Sequence, residues 1–288
     1  MIIPRDMTST RAAVTIMIML RFTKMNGAGN DFVLIDNRAG DVRLDRSQIA
    51  HLCDRHRGIG ADGVLLLEKP ANDADFRMRY FNADGEEAEM CGNGARCFSR
   101  FAKKIADAEE KISFETRAGV ISAELLGDLV RLQMTEPTDL RLDIKLPLVT
   151  ENKIVHFINS GVRHVVIPVP RIDDIDVRRE GSPIRYHKMF SPGGANVNFV
   201  EKRGPAKIAV RTYERGVEDE TLACGTGIVA SALIVAAMEN TDSPITAMSR
   251  GGDELQVGFQ RSGAASTQFR NVTLTGPAEF VFEGTIEI

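Results

Sequence analysis

The chain has 288 residues, 43% of them hydrophobic and 26% charged, with a formal net charge of −4 and four cysteines. That length suits two domains of ordinary size, and the composition is that of a soluble globular protein. No basic stretch points to nucleic acid and no tract is long and apolar enough to span a bilayer as a helix. Four thiols without zinc-finger spacing argue for a reducing compartment, the cytoplasm, against a disulfide framework and against a metal site.

In chain order, residues 1–18 read as an N-terminal extension or a mis-assigned start. The run RAAVTIMIML faintly resembles a signal peptide but lacks a small-x-small cleavage site, and Met17 or Met19 is the expected initiator. Residues 20–36 read as strand, glycine turn, strand. Asp45 is the expected N-cap of a helix over 45–56. GVLLLEK and FRMRYFN are strands, and a helix is expected from Cys91 to about Ile105. Residues 111–134 read as hairpin strands broken by Gly119 and Gly127. Residues 136–150, with Pro137 and Pro147, read as the connection between two domains, 19–140 and 141–288. Beyond it come strands around Ser160-Gly161, a helix and turn over 173–187, strands in GGANVNFVEKR and KIAVRTYERG, an apolar helix after Cys224, and strands to the end. The last strand is open to packing on the first half.

The two halves of the sequence repeat one another. EMCGNGARCF at 89–98 and LACGTGIVAS at 222–231 both place a cysteine before Gly-x-Gly at the start of a helix. Tyr80 and Tyr213 each lie eleven residues before their cysteine, and acidic pairs (Glu86-Glu87, Asp219-Glu220) precede it at matching distance. GAGNDFV (27–33) likewise resembles GGANVNFV (193–200). The pattern predicts a duplicated unit with a pseudo-two-fold cleft.

A thiol at a helix N-terminus sits among unpaired N–H groups and partial positive charge, which favour the thiolate. The same amides can hold a carboxylate, and Gly92 and Gly94 let it approach. Two such turns facing each other would hold a small carboxylate with a sulfur on each side of its α-carbon. One thiolate could remove the α-proton while the opposite thiol protonates the other face. Taken singly, the residues read more plainly: Asn30 and Asn196 as turn residues, His164 as a core histidine, Glu214 and Arg215 as a solvated pair, Cys53 and Cys97 as core fillers. No phosphate loop, dinucleotide fingerprint or cofactor-anchoring lysine is present.

KMNGAGNDFVLIDNR, NADGEEAEMCGNGARC and ERGVEDETLACGTG, over a match from about Leu20 to the C-terminus, resemble the signatures of the diaminopimelate epimerases. The related proline racemases carry histidine where Asn93 stands. The resemblance implies an α/β fold of two pseudo-symmetric domains, each a curved, mainly antiparallel sheet around a central helix, with the site in the cleft between them. It implies epimerisation of LL- to meso-diaminopimelate without a cofactor, for lysine and peptidoglycan precursors, by a homodimer. Carried over by position, Cys91 and Cys224 are the acid-base pair. Gly92, Asn93, Gly225 and Thr226 would bind the reacting carboxylate, and Asn30, Asn82, Asn196, Glu214 and Arg215 the rest of the substrate. His164 and Glu214 would tune the thiols.

Two positions depart from the family pattern: Val162 stands where many members have a binding asparagine, and Arg163 replaces a proline. Gly63 occupies a site where some members carry glutamine and many carry glycine. The first two leave open a cofactor-independent racemase acting on another amino acid. A thiol switch or metal pair is the alternative of a different class, and oxidation of facing thiols to a disulfide would silence the acid-base function.

Overall fold

The computed structural model describes residues 19–148, 152–263 and 267–288. The expected extension 1–18 lies outside them. The chain begins β1 (Met19–Gly27), β2 (Asn30–Asp36), α1 (Arg46–Cys53), β3 (Gly63–Glu68), β4 (Phe76–Asn82), β5 (Glu87–Ala88), α2 (Gly92–Ala106), β6 (Lys111–Thr116), β7 (Gly119–Leu126), β8 (Leu129–Gln133) and β9 (Thr138–Pro147). It continues β10 (Asn152–Asn159), β11 (Arg163–Pro168), α3 (Val177–Arg185), β12 (Asn196–Gly204), β13 (Lys207–Glu214), β14 (Asp219–Thr221), α4 (Gly225–Glu239), β15 (Ile245–Met248), β16 (Glu254–Arg261), β17 (Phe269–Pro277) and β18 (Glu279–Glu287).

The pairings repeat as the elements do. β1 to β4 pair antiparallel, parallel, antiparallel, and so do β10 to β13. β4 then pairs parallel with β6, and β13 with β15, before antiparallel hairpins complete each half. The last strand of each half crosses over. β9 pairs with β10, β18 with β1, and β8 with β17, so the two halves share one continuous ladder.

The stretch expected to connect two domains is therefore largely strand. Pro137 and Pro147 mark its margins rather than break it, because proline is tolerated at a strand's ends. Between them Leu140, Leu142, Ile144 and Leu146 alternate with polar residues, the period of a pleated strand. Val149 and Thr150 of that stretch lie outside the described residues.

Asp45 caps α1 in a capping box with Gln48. The helix ends at Cys53 rather than at residue 56, because the Asp54 carboxylate turns to accept from the N–H groups of His56 and Arg57. The helix expected to open the stretch 173–187 starts only at Val177, where Asp176 accepts from Arg179 N at 3.0 Å. Short 3₁₀ turns flank it at Ile172–Asp174 and Lys188–Phe190.

α2 and α4 are the central helices. Each has fifteen residues, is N-capped by its cysteine, and ends on a left-handed residue, Asp107 (φ 50°) or Asn240 (φ 53°), sixteen positions on. One buried cluster joins residues from both helices, among them Phe98, Phe101, Ile228 and Leu233. Two further clusters lie under α1 and α3.

Candidate active site

Cys91 (φ −137°, ψ 122°) and Cys224 (φ −117°, ψ 106°) are extended N-caps of α2 and α4. Neither cysteine side chain makes a cap hydrogen bond, but the Gly94 and Asn93 amides bear on the Cys91 sulfur and the Gly227 amide on that of Cys224. The two helix starts abut. Asn93 Nδ2 donates to Asn30 Oδ1 at 2.6 Å and reaches Ala223 O, the residue before Cys224, at 3.4 Å. A Cβ at Gly92 would meet nothing within 4 Å, which leaves one helix start open to a ligand.

The helix N-terminus does not decide the thiol chemistry. Burial pushes the Cys91 thiol up, and the negative charge of Glu214 adds to it; the Gly94 and Asn93 amides and the Arg96 cation only partly offset them. Cys224 is likewise driven up, by burial and then by Glu214, against the Thr226 hydroxyl and the Gly227 amide. This corrects the expectation of lowered thiol pKa values: dehydrating a sulfur anion outweighs a few N–H groups. The negative charge of Cys91 is also felt at Cys224, which couples their ionisation.

Glu214 lies at the end of β13. Burial raises its carboxyl, while the Thr221 hydroxyl and the nearby Cys224 thiol act the other way; Thr221 Oγ1 donates to Oε2 at 2.8 Å. Asn196 is buried and its Oδ1 accepts from Arg215 N at 2.7 Å, which fixes the backbone where Arg215 leaves the strand. Arg215 is exposed and its Nη1 reaches Gly193 O at 3.4 Å. Asn82 is exposed at the end of β4. Asn30 is held by protein on both sides, since its Nδ2 donates to Asp62 Oδ2 at 2.9 Å. Thr226 and Gly225 form the first turn of α4. His164 is buried and touches Thr226 rather than a sulfur.

Arg163 points to the same loop as Arg215. A Cβ at Gly193 would stand 3.4 Å from Arg215 Nη1 and 3.9 Å from Arg163 Nη1. Val162 lines a small cavity of about 130 Å³ with Met90, Ile121, Met134 and Thr226. Gly63 faces Phe81 O and the Tyr80 ring, at 2.4 and 2.7 Å from where a Cβ would stand. The acidic residues before each cysteine are clamped by arginines, Glu87 by Arg79 at 2.9 Å and Glu220 by Arg211 at 2.6 Å.

Three participants escaped the sequence reading. Arg96 is fully buried in α2 and reaches only oxygens of neutral groups, Asn93 Oδ1 at 2.8 Å and Pro277 O at 3.1 Å among them. Asp62 holds Asn30 and also accepts from Arg55 at 2.9 Å. Asn198, two residues beyond Asn196, is buried against His164. An asparagine repeating with the strand's period of two was the available signal for Asn198; an arginine inside a core has none.

Among the described residues, no three or more His, Cys, Asp or Glu are grouped to hold a metal ion, and no helix is long and apolar enough to cross a membrane. The family model described as diaminopimelate epimerase matches residues 22–139 and 156–281. A diaminopimelate epimerase of Aquifex aeolicus is 42% identical over 282 residues, 93% of this chain and 98% of that one. One of Chlorobaculum tepidum is 42% identical over 268 residues, 92% of this chain and 100% of its own length. Among solved structures, a hydroxyproline epimerase from Agrobacterium vitis superposes with a TM-score of 0.68 at 17% identity, over 94% of this chain and 93% of the other. A PhzF-family phenazine biosynthesis protein of Bacillus anthracis gives 0.70 at 15% identity, over 94% and 100%. These two likenesses concern the fold.

Proposed function

The chain belongs to the diaminopimelate epimerase family, and on that premise we propose that it converts LL- to meso-diaminopimelate with Cys91 and Cys224 as the two proton-transfer groups. The observation that carries the reading is that both cysteines cap helices whose N-termini abut. The α-carboxylate lies across the two helix starts, on amides of Gly92, Asn93, Gly225 and Thr226. One thiolate takes the α-proton and becomes a thiol. The opposite thiol gives its proton to the other face and becomes the thiolate, and the configuration inverts. The next turnover in the reverse direction uses the exchanged roles.

The raised thiol pKa values fit this work. A thiolate of high basicity is the better base towards a weakly acidic C–H. The charge that permits it comes with the substrate, whose α-ammonium replaces the water the sulfurs have lost. As carbanion character develops on the carboxylate, the N–H groups of both helices stabilise it in place. Glu214 takes an ammonium, Arg215 the distal carboxylate, with Asn30, Asn82 and Asn196 positioning both. Arg163 adds a second cation at the distal end, where Val162 offers no hydrogen bond.

The two halves, 19–140 and 141–288, act as domains closing on this site, the protein works as a homodimer in the cytoplasm, and its product feeds lysine and peptidoglycan precursor synthesis. The experiment is replacement of each cysteine: Cys91→Ala and Cys224→Ala both abolish epimerisation without added cofactor. Near wild-type turnover in either variant rejects the mechanism. Val162 and Arg163 favour a second reading, a racemase of another amino acid. A panel of free amino acids decides between them, and preference for a substrate with one carboxylate would reject diaminopimelate.

A further inference from the structure

Beneath Cys224 lies a line of side chains, half-buried at Thr226 and buried beyond it. Thr226 Oγ1 is 3.7 Å from Cys224 Sγ, and His164 Nε2 is 3.0 Å from Thr226 Oγ1. His164 Nδ1 is 3.0 Å from Asn198 Nδ2, which also donates to Val165 O at 3.0 Å. Thr212 Oγ1 donates to Asn198 Oδ1 at 2.9 Å. His164 and Asn198 are 0% exposed, so each of these groups depends on the others for its hydrogen bonds.

The direction of the line is fixed by Val165. Its carbonyl only accepts, so the Asn198 group beside it must be the amide nitrogen. The second hydrogen of that NH₂ group points at His164 Nδ1, which therefore carries no proton. Burial, helped by the nearby Arg215 cation, holds the imidazole pKa down to about 3, so the ring is neutral and its one proton is on Nε2. Nε2–H donates to Thr226 Oγ1. The Thr226 hydroxyl hydrogen is then left for the sulfur.

From this geometry we infer that Asn198 is a positioning residue: by fixing the Nε2–H tautomer of His164, it turns the Thr226 hydroxyl into a dedicated donor to the Cys224 sulfur. The inference rests on Cys224 being one of the two proton-transfer groups. It gives the Cys224 sulfur a donor of its own. Cys224 faces the Glu214 carboxylate from β13 and Cys91 across the helix starts. Cys91 has the Arg96 cation in its own helix, and Asn93 stands at the position corresponding to Thr226. The thiols are thus supported by different means, a buried cation under one and a neutral relay under the other.

Alkylation of each cysteine by iodoacetamide without substrate, located by peptide mass spectrometry, tests this. At about pH 8 the rate follows the thiolate fraction. Thr226→Val is expected to slow Cys224 alkylation roughly tenfold, the scale of one hydrogen bond to a charged group, with Cys91 changed less than about twofold. Thr226→Ser restores the rate, and Asn198→Leu lowers it several-fold. Nitrogen-15 NMR of wild-type His164 is expected to show a neutral Nε2–H ring from about pH 5 to 9, and this stands should Asn198→Leu fail to fold. An Nδ1–H ring, an imidazolium, an unchanged Cys224 rate in Thr226→Val, or an equal loss at Cys91 would overturn the inference. No readout requires turnover, so a wrong substrate assignment leaves the test intact.

Discussion

The two copies of Cys-Gly-x-Gly offer a paired substitution with opposite outcomes. Gly94 and Gly227 occupy the same place, three residues after their cysteines, and both lie in helices with ordinary backbone angles. In a helix, alanine in place of glycine is worth about 1 kcal/mol. At Gly94 a Cβ would lie 3.4 to 3.5 Å from Leu65 and Phe32 side chains, ordinary contact. Gly94→Ala is therefore expected to be neutral or to stabilise by up to about 1 kcal/mol. At Gly227 the Cβ would stand 2.3 Å from Asn198 Oδ1. Asn198 can yield only by leaving His164, Val165 and Thr212, three buried partners at about 1 kcal/mol or more each. After the helix gain, Gly227→Ala is expected to cost about 2–4 kcal/mol and most of the activity. Urea denaturation read by circular dichroism, with kcat measured alongside, checks both. For a chain of this order of size the gap corresponds to several degrees in Tm. Equal losses at the two glycines would refute the reasoning, because they would place the asymmetry outside Asn198.

Other expectations follow from single contacts. The His164 pKa falls from 6.5 to about 3 on folding, so its neutral form contributes stability above pH 6.5 that is lost as pH falls towards 3; His164→Gln should flatten the acid limb of stability by up to about 1.4 kcal/mol per pH unit, and an unchanged limb in urea titrations at stepped pH would count against it. Arg163→Leu should raise KM for diaminopimelate roughly three- to tenfold with little change in kcat, the scale of a partly exposed charge-assisted hydrogen bond; steady-state kinetics showing an unmoved KM would remove Arg163 from the site. Gly63→Gln places a side chain against a backbone oxygen that cannot rotate away, and a loss of about 1–3 kcal/mol is expected in thermal melts; an unaltered Tm would show that the β3–β4 ladder opens freely there.

The duplicated helix starts were legible because spacing survives in sequence: the cysteines, the tyrosines eleven residues before them and the glycines after them all fall in register. The repeat ran further than the residues suggested, through to the left-handed caps Asp107 and Asn240, which share no side-chain identity. β9 was obscured by its flanking prolines although its alternation was visible. The thiol pKa values were misread because a helix N-terminus is written in the sequence and burial is not. Asn198 gained its role from the parallel register that sets His164 beside Asn196 and so places Asn198 one pleat further along the same face. That pairing is a property of the sheet, and neither strand carries it alone.

The central claim is that two sulfurs serve one carbon from opposite sides. LL-diaminopimelate incubated with the protein in heavy water and followed by proton NMR tests it most directly. The meso product formed in the first turnovers is expected to carry solvent deuterium at the inverted α-carbon, while the remaining LL substrate keeps its own proton. Product that retains the substrate's α-proton would mean that a single group removes and returns it, and would contradict the account.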